Sequence, residues 1–138
     1  MFEETLIPLT LVECLGHMDG KTRFQKLVFL IQKEANSRGL SDIDLHFELY
    51  YYGPFSRQLS SVLSGLVKEG YLTLHIERTT KGYIKYVYSL TDAGMNLLER
   101  ASEKRLIDTN LTHAIREVAE KYGSLELSEL VNQAKSQF

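Results

Sequence analysis

Residues 56–90 read SRQLSSVLSGLVKEGYLTLHIERTTKGYIKYVYSL, and the reading of this stretch decides the fold. Ser56 is a residue type that caps helix starts. Leu59, Val62, Leu63, Leu66 and Val67 then recur at helical spacing, so a helix is expected to about Glu69, closed by Gly70. Two β-type runs follow at 71–77 and 83–90. They are joined by the basic tip Arg78-Thr79-Thr80-Lys81-Gly82.

Upstream, Leu45, Phe47 and Leu49 alternate with His46, Glu48 and Tyr50, which predicts a strand over 44–52 ending in a turn at Gly53-Pro54. Before it, Phe24, Leu27, Val28, Ile31 and Ala35 predict a helix over 22–37 whose apolar face is surrounded by Lys21, Arg23, Lys26 and Lys33, with Gly39 as its stop. The first helix is expected over 5–18, with Ile7, Leu11, Cys14 and Met18 as its stripe and Pro8 in its first turn. Downstream, Thr91 should cap a helix over 92–104, with Asp92 at its positive end. Further helices are expected over 110–122, broken by Gly123, and within 124–138.

The order helix, helix, short strand, helix, hairpin, helix describes an α+β chain. It is that of a winged helix-turn-helix with a two-stranded wing and a helical C-terminal extension. A single domain over 1–138 is expected, with its core at 21–90 and C-terminal helices at about 92–138. In such a fold the helix at 56–69 would enter the major groove of duplex DNA, which is wide enough to admit it. Its outer face, Arg57, Ser60, Ser61, Ser64 and Lys68, is slim and free of acids. Arg78, Lys81 and Lys85 would reach adjacent backbone from the wing. Lys21 and Arg23, at a helix start, would hold phosphate. The same pattern also fits a plain solvated helix face and an exposed hairpin tip, and both readings stay open. The tyrosines at 50, 51, 52, 83, 86 and 88 invite base stacking, but core and hairpin packing accounts for them better.

The composition narrows the function classes. With 138 residues, 43% of them hydrophobic, the chain can fill one core. No apolar run approaches the roughly 20 residues that span a bilayer. The start Met1-Phe2-Glu3-Glu4 is acidic where a secretory leader is basic, so the cytoplasm is expected and a membrane is not. A lone Cys14 reads as a core residue. His17, His46, His75 and His113 are scattered, so no metal site is expected. No nucleophile elbow or phosphate-binding glycine loop occurs, so neither a cofactor nor enzyme activity is expected. The net charge is −2, yet residues 21–85 carry ten Lys or Arg against six acids, while residues 1–20 carry four acids and no base.

Several stretches resemble known families. The segment Gly20-Lys21-Thr22-Arg23-Phe24-Gln25-Lys26-Leu27-Val28-Phe29-Leu30-Ile31-Gln32 resembles the second-helix signature of the YwgA-like winged-helix proteins. A similar pattern occurs in the Panacea (SocA-like) antitoxin domain. The run from Phe47 to Ser56, with Tyr52-Gly53-Pro54 at its centre, is similar to the turn that these groups share. Tyr88-Ser89-Leu90-Thr91-Asp92-Ala93-Gly94 resembles the Tyr-x-Leu-Thr-x-x-Gly ending of many winged-helix regulators, PadR-like ones included. Tyr122-Gly123-Ser124-Leu125 resembles the start of the last helix in the YwgA-like group. That helix departs from the pattern at Val131-Asn132-Gln133-Ala134-Lys135, so no C-terminal function is carried over.

The resemblance implies either a DNA-binding regulator or an antitoxin or adaptor that binds another protein. The first takes double-stranded DNA as its partner and a homodimer as its working form, with the helices at 92–104 and 110–122 as candidate dimer elements. The second takes a protein partner, with the aromatic run at 50–52 as its patch and the acidic first 20 residues in its favour.

Overall fold

The computed structural model describes residues 2–40 and 43–138. The chain is a mixed α+β structure of helices and small antiparallel sheets. The elements are α1 (Phe2–Leu15), β1 (Met18–Asp19), α2 (Lys21–Ser37), β2 (Glu48–Tyr50), β3 (Gly53–Phe55), α3 (Arg57–Lys68), β4 (Leu72–Arg78), β5 (Ile84–Leu90), α4 (Asp92–Glu103), α5 (Thr109–Tyr122) and α6 (Leu127–Gln137).

α1 is the central helix. Leu6, Ile7, Leu9, Thr10, Leu11 and Val12 are all buried, so it is enclosed on most sides rather than along the one expected stripe. It packs against α3, α4, α5 and β5. It also begins and ends earlier than expected. Pro8 lies inside the helix, not in its first turn, and Gly16 at φ 86 ends it. A left-handed residue is inexpensive there only for glycine. Met18 therefore leaves the helix and becomes the first residue of β1, opposite Tyr88.

β1, β5 and β4 form one sheet in that order, with β5 central. The β4–β5 register runs from Leu72 opposite Leu90 to Arg78 opposite Ile84. At the tip, Thr79 N–H donates to Tyr83 O and Gly82 N–H donates to Thr79 O.

The expected strand over 44–52 is corrected. Ile43, Leu45 and Phe47 are buried and Asp44, His46 and Glu48 exposed, so the alternation holds. Yet the backbone at 43–47 joins no sheet. Pairing is confined to β2 and β3, with Glu48 opposite Phe55 and Tyr50 opposite Gly53. The turn is Tyr51-Tyr52, and Gly53-Pro54 belongs to β3. Gly53 sits at φ 96, which explains a glycine at that point.

α3 and α4 start as the sequence predicts. Ser56 Oγ accepts from Leu59 N–H, and Thr91 Oγ1 accepts from Gly94 N–H. Thr91 also donates to Gly70 O at 2.6 Å, tying the end of α3 to the start of α4. α5 lays Leu111, Ala114, Ile115 and Val118 on α1 and α2, and α6 buries Leu130 and Ala134 beside α2 and β3. The apolar stripe of α5 is thus occupied within its own chain.

A methyl group on the buried Gly94 would lie 2.3 Å from Tyr71 O and 3.1 Å from Leu90 Cδ2. Gly94→Ala is therefore expected to destabilise the fold by roughly 1–3 kcal/mol, since backbone must move to admit the methyl. Urea denaturation measures this, and an unchanged midpoint would refute it.

Candidate nucleic-acid interface

α3 has 12 residues and carries no carboxylate within its bounds. Arg57, Ser61, Ser64 and Lys68 are all exposed. Their spacing places them on one stripe along the helix. Arg78 and Lys81 at the β4–β5 tip are exposed as well, although the Arg78 guanidinium donates to Gly82 O at 3.3 Å.

The other expected contacts are differently placed. Ser60 turns toward α2, where its Oγ accepts from Gln25 Nε2 at 3.1 Å, and it is half-buried. The Arg23 guanidinium donates to Gly123 O at 3.1 Å and so satisfies the end of α5. Lys85 pairs with Asp19 at 3.0 Å. Burial opposes the ionised form of Asp19, but hydrogen bonds from Lys85 and His17 outweigh it and hold the carboxyl below its usual range. Lys21 is exposed, with its ammonium 4.7 Å from the Tyr86 ring centre. Of the ten positions, Arg57, Ser61, Ser64, Lys68, Arg78 and Lys81 are exposed on α3 and the tip.

The tyrosines divide. Tyr88 is buried edge-on against Phe24, and Tyr86 is half-buried. Tyr51 is 83% exposed, Tyr52 61% and Tyr83 70%, so none of these three is a core residue, although the rings of Tyr51 and Tyr52 pack edge to face on each other in the hairpin. Tyr50 is also exposed, with its ring stacked on Phe55. Cys14 is half-buried at the edge of the core, and burial pushes its thiol up, away from the reactive thiolate.

A cleft of about 940 Å³ opens between α2, the β2–β3 hairpin, α3 and the sheet. Ser60, Ser64 and Lys68 form part of one wall and Tyr50, Tyr51 and Tyr52 part of another. Two α2 residues bordering it were not legible as buried. Gln25 is fully engaged: Nε2 donates to Ser56 O and Oε1 accepts from Ser56 N–H, both at 2.9 Å. Lys26 is only 2% exposed, and its Nζ donates to Pro54 O at 2.8 Å. Burial, reinforced by the Lys135 ammonium, pulls its pKa from 10.5 to about 8. The sequence signal was the unbroken run Leu27-Val28-Phe29-Leu30-Ile31. An all-apolar run must be covered on every side, and its cover takes the neighbouring polar residues inside with it.

No protein-family model matches the chain. It is similar to the uncharacterized protein YwgA of Bacillus subtilis (strain 168), 31% identical over 86 residues. The aligned part is 62% of this chain and 48% of the relative, so the chain spans about half the length of the curated relative it matches. No helix among the described residues is long and apolar enough to cross a membrane.

Lys26 yields a pH prediction with a definite sign. Its amine titrates near 10.5 when unfolded and about 8 when folded. Between these values the unfolded chain binds the additional proton, so stability rises with pH across the interval. Relative to Lys26→Met, the wild-type chain should gain about 2 kcal/mol from about pH 7 to about pH 9.5. Parallel denaturation curves measure it, and a difference independent of pH would overturn it.

Proposed function

We propose that the chain is a single winged-helix domain that binds double-stranded DNA, reading the major groove with α3 and touching the flanking backbone with the β4–β5 tip. The observation that carries this reading is the acid-free exposed stripe Arg57, Ser61, Ser64 and Lys68 on α3. The element order and the sheet order β1-β5-β4 support it, because they bring α3 onto a hairpin whose tip bears Arg78 and Lys81. The role is regulatory binding rather than catalysis, in the cytoplasm. Two copies would double the contact area and set a half-site spacing. α4 is the better candidate for pairing them, since it keeps Met95 exposed whereas α5 spends its stripe on α1 and α2.

The second reading, a protein-interaction module of the antitoxin or adaptor kind, draws on one observation. Leu49, Tyr50, Tyr51 and Tyr52 stand exposed together on the β2–β3 hairpin. Exposed tyrosines of this kind are suited to anchoring a partner.

A salt titration separates the two. Duplex affinity should fall steeply with salt, with a log–log slope of roughly −0.9 per phosphate contact, and Arg78→Ala with Lys81→Ala should flatten it by about two such increments. Lys85→Ala should change the slope little, because Lys85 is paired with Asp19. Absence of duplex binding at about 50 mM salt would sink the DNA reading. A stoichiometric protein partner lost on Tyr51→Ser with Tyr52→Ser would then establish the second.

A further inference from the structure

The cleft beside α3 has a chemistry that duplex binding does not use. Three lysines, Lys21, Lys26 and Lys68, border it, and no Asp or Glu stands among its described lining residues. Its remaining walls are largely apolar: the hairpin tyrosines, Phe55 and Tyr88 on one part, Leu63, Val67 and Leu74 on another. Lys26 is the unusual member. An ammonium has three donors. Among the described residues, Lys26 Nζ has one hydrogen-bond acceptor, the neutral carbonyl of Pro54. The charge nearest in effect is another ammonium, Lys135. A buried cation with no counter-charge is costly, and an anion bound beside it recovers part of that cost.

The size of the cleft lies within the range of small-molecule sites, about 300–1,000 Å³. No arginine stands among its described lining residues, so these supply no planar fork of the kind that favours phosphate. One buried ammonium matches one negative charge, and the surrounding rings match a flat apolar body.

We propose that the cleft between α2, the β2–β3 hairpin and α3 binds a small planar aromatic carboxylate. The carboxylate neutralises Lys26, and the ring lies between the hairpin tyrosines and the Leu63–Val67 side of α3. Ser64 and Lys68 belong both to the cleft and to the exposed stripe of α3, so the occupant lies directly beside the surface assigned to DNA.

The test uses the full chain without DNA, so its outcome is read separately from the duplex titration. 2-Naphthoate, its neutral analogue 2-naphthamide, and acetate are titrated by calorimetry and by amide chemical shifts. Naphthoate should bind saturably, with shifts centred on Gln25, Tyr52, Ser64 and Leu74. The amide should bind at least about tenfold more weakly, because it lacks the charge-assisted bond to the ammonium. Acetate, lacking the ring, should not bind. Lys26→Met should lower naphthoate affinity by about tenfold or more. Ser64→Trp, an exposed position that a large side chain can occupy without entering the core, should block the cleft. If Lys26→Met does not fold, the acid–amide comparison and Ser64→Trp decide. Equal affinity for acid and amide, shifts centred elsewhere, undiminished binding in Ser64→Trp, or no naphthoate binding would each overturn the proposal.

Discussion

Two glutamine side chains on α2 hold the middle of this structure together. Gln25 and Gln32 stand seven residues apart, two helical turns, and therefore lie on one face of the helix. Each uses its amide as a short piece of β-ladder. Gln25 exchanges two hydrogen bonds with the backbone of Ser56, and Gln32 exchanges two with the backbone of Leu45, all at 2.9 Å. Lys26 adds a third tie, to Pro54 O. The chain between α2 and α3 forms little sheet of its own, so these side chains satisfy backbone groups that burial would otherwise leave unpaired. The position of α3 depends on them, because Ser56 is at once the partner of Gln25 and the cap of that helix.

The same economy recurs around the core. Arg23 reaches from the first turn of α2 to the carbonyl of Gly123, the cap of α5, and Thr91 bridges Gly70 O to the start of α4. Single polar side chains thus fasten element ends to one another, while apolar residues of α1, α2, α5 and α6 supply the bulk of the packing. Burying such a polar group is tolerable when every strong donor and acceptor finds a partner. Among the described residues, each buried side-chain nitrogen and oxygen has at least one hydrogen-bond partner, Lys26 Nζ with one acceptor for its three donors.

Much of this was legible in the chain. α3 and α4 could be read from Ser56 and Thr91, because capping is local and its residue types are few. The β4–β5 hairpin could be read from its two β-type runs on either side of the tip Arg78-Thr79-Thr80-Lys81-Gly82. What escaped depends on contacts distant in sequence. Gln25, Lys26 and Arg23 look like ordinary solvent-facing residues until α5, α6 and the β2–β3 hairpin close over α2; the neighbouring run Leu27–Ile31 signals that cover is needed but not which elements supply it. Residues 43–47 show the opposite failure. Their side chains alternate as in a strand, but their backbone pairs with the Gln32 amide and with Gln58 instead of a neighbouring strand. For the candidate interface, charge type was readable and availability was not. Lys85 and Arg23 have the right chemistry but are already partnered, and a sequence does not show who holds whom.

The way residues 43–56 are fastened has a consequence for motion. A strand in a wide sheet is freed only when a whole ladder breaks. This segment rests on the amides of Gln25, Gln32 and Gln58, one ammonium, a three-pair hairpin and the side chains of Ile43, Leu45 and Phe47. Its detachment is therefore a local event that leaves α1, α2 and α5 packed, an opening well below the energy of global unfolding. Ser56 is the hinge of that event. When it leaves Gln25, the first turn of α3 loses its anchorage, and backbone amide exchange at 45, 56 and 59 becomes one process rather than three.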